Sequence, residues 1–378
     1  MHTLAFGLLF LGMVAYAGPR EQAKRMHDRL AGVPPTAQIL DAMELAIAGG
    51  DPLTAADIAM SEDSFYDVTL KNWVAPWTNE EQEVFVPLND YTATVIGMIR
   101  DDVPFNSLLS ADIIYTGGAG YGLPPYSMTN NDHYLEIEDR GLPLQEVLER
   151  QRQTAVTDLP PDGVAGIFTT RAAAEAFFVL GTNRAMFRFT LMNHMCRDLE
   201  QAKDSTRAPD RIRQDVSRSP GGDSRVFLNN CVSCHSGMDP LAGAFAYYDF
   251  DLDRQRIIYT PGQVQPKYSI NNATFAPGYI STDDSWHNYW REGVNSQFGW
   301  DLSLPGSGSG AASMGQELAN STEFANCQVR KVFRNVCLRD PVDATDRSQV
   351  DSMVNSFVAG GYRMKQVFAE SAAYCMGE

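Results

Sequence analysis

Apolar positions recur at helical spacing along most of the chain, while strict alternation is scarce, so the periodicity predicts a mainly α protein. Residues 21–30 form a polar helix stopped by Pro34-Pro35. Thr36 is placed to cap the next helix, which runs through Ala48, and residues 51–59 continue the pattern. Over residues 65–74, Tyr66, Leu70 and Trp73 share one helical face ahead of Pro76. Residues 100–135 are rich in Gly, Pro and Tyr and read as loop with short helices. Helical spacing returns over 142–154, 171–180 and 183–201, with Phe177, Phe178, Phe187 and Leu191 as core candidates.

The second half changes character. Residues 205–222 are polar and end in Pro220-Gly221-Gly222, a linker pattern, and a short helix over 223–230 follows. Residues 249–301 are aromatic and irregular, and 305–310 are a Gly/Ser run. Helices over 315–338, 346–359 and 362–374 close the chain. The N-terminal residues Leu4 to Ala17 are an uncharged apolar run ending in Ala15-Tyr16-Ala17, which matches a cleaved signal peptide although His2 replaces the usual Lys or Arg. An uncleaved anchor or an ordinary buried segment are the alternatives. The expected organisation is residues 1–17 as signal peptide, 18–204 as a helical N-terminal domain, 205–222 as linker, and 223–378 as a second helical domain with long irregular loops.

Charge narrows the class of partner. The 378 residues carry 30 Lys and Arg against 47 Asp and Glu, a net −17, which argues against binding a nucleic-acid backbone, since that affinity rests on cationic contacts. After signal cleavage no stretch is apolar enough to span a bilayer. Six cysteines are too few for a disulfide scaffold, so their placement matters more than their number.

Cys231-Val232-Ser233-Cys234-His235 has the Cys-x-x-Cys-His spacing of c-type haem attachment. Two thiols three residues apart on a helical turn add to the two haem vinyl groups, and the next residue, His235, lies under the iron as axial ligand. A zinc half-site lacks a second ligand pair, and a thioredoxin-like redox pair lacks its βαβ context. Gly222 and Phe227 precede Cys231 much as glycine and an aromatic precede the motif in small cytochrome c domains, where the aromatic packs on the C-terminal helix.

The segment from Cys231 through Ser236-Gly237-Met238-Asp239-Pro240-Leu241, followed by Ala244 to Asp251, resembles the planctomycete-type cytochrome c domain proteins. Residues 29–36, 102–106, 321–338 and 360–363 are similar to their flanking helical segments, so the resemblance extends loosely over residues 24–378. It implies an exported haem protein whose reaction is open for most members. This chain lacks the added modules of the longer ones.

The other axial position separates electron transfer from catalysis. Met314, in the Gly/Ser-rich stretch before a helix, is the first candidate; His287 and His194 are others, and an open site is the remaining case. His235 also needs an acceptor for its second ring nitrogen, for which the Pro240 carbonyl is close in sequence. Arg254, Arg256, Tyr268, Trp286 and Trp290 are available to haem propionates. Asp249, Asp251 and Asp253 alternate like the start of a calcium loop but lack its glycine and closing glutamate, so a solvated acidic turn is expected.

Four cysteines remain. Cys327 and Cys337 lie ten residues apart on one expected helix, roughly 15 Å along its axis, too far to bridge. Cys196 and Cys375 therefore each take one of them. Cys196 with Cys327 and Cys337 with Cys375 is favoured, because the last helix should run back antiparallel past Cys337. The expected function is a periplasmic, single-haem electron carrier with a basic redox partner, favoured by the acidic surface. A haem peroxidase or oxidase, and a structural haem-containing assembly component, are the rivals. No Ser/His/Asp triad, paired-carboxylate site or phosphate loop stands out.

Overall fold

A computed structural model describes residues 17–269 and 272–377. The expected signal peptide lies outside the described residues apart from Ala17. The longer helices are α1 (Pro19–Leu30), α2 (Ala37–Ala48), α3 (Pro52–Met60), α4 (Asp90–Arg100), α5 (Arg184–His194), α6 (Val232–Ala242), α7 (Ala311–Ala319), α8 (Thr322–Cys337), α9 (Ala344–Ala359) and α10 (Met364–Cys375). The fold is mainly α. Among the described residues, six short strands pair into three antiparallel two-stranded sheets: β1 (Ile114–Gly117) with β2 (Leu148–Gln151), β3 (Tyr248–Asp251) with β4 (Arg256–Tyr259), and β5 (Ser285–His287) with β6 (Ser307–Ser309).

Local chemistry explains most boundaries. The Thr36 hydroxyl accepts the Ile39 amide and Asp51 accepts that of Thr54, fixing the starts of α2 and α3. Ser321 accepts the Phe324 amide and divides the expected 315–338 helix into α7 and α8. The helix expected over 183–201 stops at His194, and Cys196 takes a positive φ of 51° that a helix cannot accommodate.

The 142–154 region departs from its helical spacing: it breaks into a short helix at Leu144–Val147 and the start of another at Gln153–Val156, and between them Leu148–Gln151 pairs with Ile114–Gly117. This pairing satisfies the backbone of both segments and leaves Leu148 buried while Glu149 and Arg150 face solvent. Residues 65–74 form a π-helical turn and a short α-turn, with Tyr66, Leu70 and Trp73 all buried.

One contiguous core runs from Ala23 in α1 to Ala372 in α10. Helices α8, α9 and α10 pack on one another, and α10 also lies against α1 and α3. Phe368 of α10 meets Phe65 and Trp73 edge-on at ring distances of 5.2 and 5.4 Å. The closing helices, expected within the second domain at residues 223–378, thus pack on the first helices of the chain. Within the 205–222 segment, Ile212 and Arg213 are buried.

Cys196 is bonded to Cys327 and Cys337 to Cys375. The first bond fastens the chain just beyond α5 to α8, and the second fastens α8 to α10. Each closes a long loop and removes conformational freedom from the unfolded chain.

Candidate functional site

The haem-type motif begins at a turn that requires glycine: Gly221 and Gly222 have φ of 63° and 86°. Asp223 accepts the Arg225 amide and starts a helical run through Ser224–Val226 and Phe227–Cys231 into α6. Cys231, Cys234 and His235 occupy positions i, i+3 and i+4 of this run and share one face. Cys231 and Cys234 are free thiols, both half-buried. Burial pushes the Cys234 thiol up from its ordinary pKa, and its sulfur lies 3.5 Å from the Leu199 carbonyl oxygen.

His235 is anchored from behind. Its Nδ1 lies 3.1 Å from Oδ1 of Asp239, one helical turn on, and Asp239 is buried. Arg184 of α5 grips both carboxylate oxygens, Nε to Oδ1 at 2.8 Å and Nη2 to Oδ2 at 3.1 Å. The Arg213 backbone amide donates to Oδ2 at 3.3 Å, and its guanidinium approaches Oδ1 at 3.7 Å. Asp215 pairs with the other side of Arg184 at 2.6 Å.

Burial alone would raise the Asp239 pKa, but the Arg184 and Arg213 charges and the His235 hydrogen bond hold it well below the carboxylate range. A carboxylate there can only accept, so Nδ1 carries a proton, and Nε2 is the nitrogen that faces away from Asp239. The expected acceptor, the Pro240 carbonyl, is thus replaced by the Asp239 side chain. Asp239 lies four residues on from His235, on the same helical face, whereas Pro240 is one residue off it.

The surroundings also differ from the small-cytochrome pattern. Phe227 packs with Ile212 and Val216 in a cluster that Cys231 and Val232 border, separate from the main core. Its partners thus come from residues 205–222 rather than from the C-terminal helix. The Arg218 guanidinium lies over the rings of Phe227 at 4.7 Å and Phe275 at 4.3 Å. Gly237, on α6, is in contact with Trp290, and an added Cβ would fall 1.9 Å from its Nε1.

The expected propionate donors have other engagements. Arg254 and Arg256 pair with Asp251 and Asp158. Trp286 donates to Ser313, and Tyr268 lies buried with the Arg213 guanidinium over its ring. Trp290 Nε1 is buried without a partner. Asp249 pairs with Lys267, while Asp251 accepts the Asp253 and Arg254 amides within a turn. Among the described residues, no group of three or more His, Cys, Asp or Glu side chains is arranged to hold a metal ion.

Met314 lies inside α7, buried in the main core. This helix packs against the turns Phe105–Ser107 and Gly243–Phe245, against β6 and against α8. His287 lies half-buried on β5, which packs on α6, and burial lowers its pKa. His194 is buried, with Nε2 2.8 Å from the Tyr91 hydroxyl. Sequence reasoning missed Arg184, Arg213, Asp215 and Arg218. Three of these come from the stretch read as linker, where the run of arginines was the available signal.

The donor set fits a covalently attached haem: two free thiols and an imidazole with one free nitrogen, all on one helical face. Cys231 and Cys234 would hold the vinyl carbons as thioethers, and His235 would supply the axial nitrogen. No family model, curated protein or solved structure matches the chain.

Proposed function

We propose that this chain is an exported c-type cytochrome with one covalently attached haem c, serving single-electron transfer and related to the planctomycete-type cytochrome c domain proteins it resembles. The observation that carries this reading is the His235–Asp239 pair beside two free thiols. Cys-x-x-Cys alone would also suit a redox disulfide, but a buried carboxylate dedicated to orienting the adjacent imidazole has no role in one. Bound haem supplies a one-electron ferric/ferrous couple.

The protein's own residues prepare the site. Asp239 selects the His235 tautomer and ring orientation, and Arg184 and Arg213 hold Asp239 in place. Two disulfides suit an oxidising compartment such as the periplasm. Among the described residues no helix is long and apolar enough to cross a membrane. The net charge of −17 favours a basic redox partner and a salt-sensitive encounter.

One observation favours a second reading, a haem peroxidase or oxidase. A carboxylate partner makes an axial imidazole a stronger electron donor than a backbone carbonyl does, which favours the oxidised iron. Oxidised and reduced optical spectra, with peroxide turnover, separate the two. Low-spin bands in both states with no turnover support the electron carrier; a high-spin ferric spectrum with turnover supports the enzyme.

A further inference from the structure

A second site lies away from the haem-type motif, where α8 meets the end of α5. A cleft of about 620 Å³ opens there, floored by Trp77 and lined by Arg197, Asp198, Arg330, Lys331 and Arg334. Four cations to one carboxylate is a local reversal in a chain of net charge −17. Asp198 is already paired with Arg188, Arg197 with Glu323, and Arg334 with Asp340. Arg330 and Lys331 have no carboxylate partner among the described residues.

Lys331 is held in an unusual way. Its Nζ sits 3.0 Å from the Trp77 ring centroid and donates to the Asn193 carbonyl at 2.7 Å. Burial pulls its pKa well below the ordinary lysine value. Arg330 and Arg334 stand at i and i+4 on α8, and with Arg334 neutralised by Asp340 the unpaired charge of the two is that of Arg330.

We propose that this cleft binds a small oxyanion-bearing molecule, a carboxylate or a phosphate, between Arg330 and Lys331. The Arg330 guanidinium offers a planar fork that matches either group, and Lys331 sets a second nitrogen donor beside it in the same cleft. The volume is that of a small-molecule site, and Met192 and Pro76 give it an apolar wall for the body of an organic acid. Nothing in this inference depends on haem.

Calorimetric titration of the purified full-length chain at low ionic strength, with succinate in one arm and inorganic phosphate in the other, tests it. Saturable binding of at least one probe is expected, with a Kd below about 1 mM and weakening as salt is raised. Tighter succinate binding marks an organic-acid site, and tighter phosphate binding marks a phosphate site. Arg330→Gln, at a half-exposed position without an ion pair, should weaken binding about tenfold or more with unchanged melting. Lys331→Gln should also weaken binding, with some loss of melting temperature because the contacts to Trp77 and Asn193 go with it, while Arg254→Gln should leave binding unchanged. Absence of saturable binding by either probe at about 10 mM overturns the proposal. So does binding that neither cleft variant weakens.

Discussion

Nδ1 of His235 and Oδ1 of Asp239 lie 3.1 Å apart, with the carboxylate sealed from solvent and clasped by Arg184. Replacing Asp239 by Asn removes one buried charge and leaves Arg184 and Arg213 with Asp215 alone. The expected cost is about 3–5 kcal/mol of folding stability, read by denaturant unfolding. In haem-loaded protein the same change should raise the midpoint potential, since the axial imidazole loses its anionic partner. A folded variant with an unchanged potential would separate Asp239 from the iron.

Gly237→Ala tests the approach of α6 to Trp290. The added methyl would overlap the indole, so the two must separate. Overpacking of this kind costs about 1–3 kcal/mol. A drop in melting temperature, together with altered tryptophan fluorescence, is the expected result; neutrality would show that Trp290 moves freely.

Met314 is buried in α7, and Met314→Ala should cost about 2–5 kcal/mol through the cavity it leaves. Optical spectroscopy of the haem-loaded variant distinguishes packing from ligation. The core position predicts lost stability with unchanged haem bands, whereas disappearance of a methionine-to-iron band near ~695 nm would make Met314 the axial ligand.

His194 gives a pH dependence. Burial, with the nearby Lys331 charge, holds its folded pKa well below the ordinary value, so the native ring is neutral against the Tyr91 hydroxyl. Below about pH 6.5 the unfolded chain binds a proton there that the folded chain does not, so stability falls with pH. The slope is about 1.4 kcal/mol per pH unit until the folded pKa is reached. Unfolding measured between about pH 6.5 and 5 should show this loss in the wild type and lack its contribution in His194→Gln. An identical slope in both contradicts it.

The features legible in the sequence are those with local causes. Thr36 and Asp51 announce helix starts because capping acts within three residues, and Cys327 and Cys337 could be placed on one helix by spacing alone. Leu148 to Gln151 could not be read as a strand, because its partner, Ile114 to Gly117, is more than thirty residues away in sequence. The same limit hid the site's support. Arg213 looks like a polar linker residue until the fold brings it to Asp239, and Arg184 looks like an ordinary helix start. The motif residues Cys231, Cys234 and His235 are visible because Cys-x-x-Cys-His is itself a pattern of fixed spacing; the charges that orient His235 follow no such rule.

Covalent haem attachment is read most directly from haem content after denaturation. The chain is exported from cells carrying haem-attachment machinery, denatured, extracted with acidified acetone and assayed as the pyridine haemochrome. One haem per chain should be retained through extraction in the wild type, and none when Cys231 and Cys234 are both replaced by Ala. Wild-type protein that keeps no haem, with Cys231 and Cys234 recovered as free thiols or as a disulfide, would contradict it.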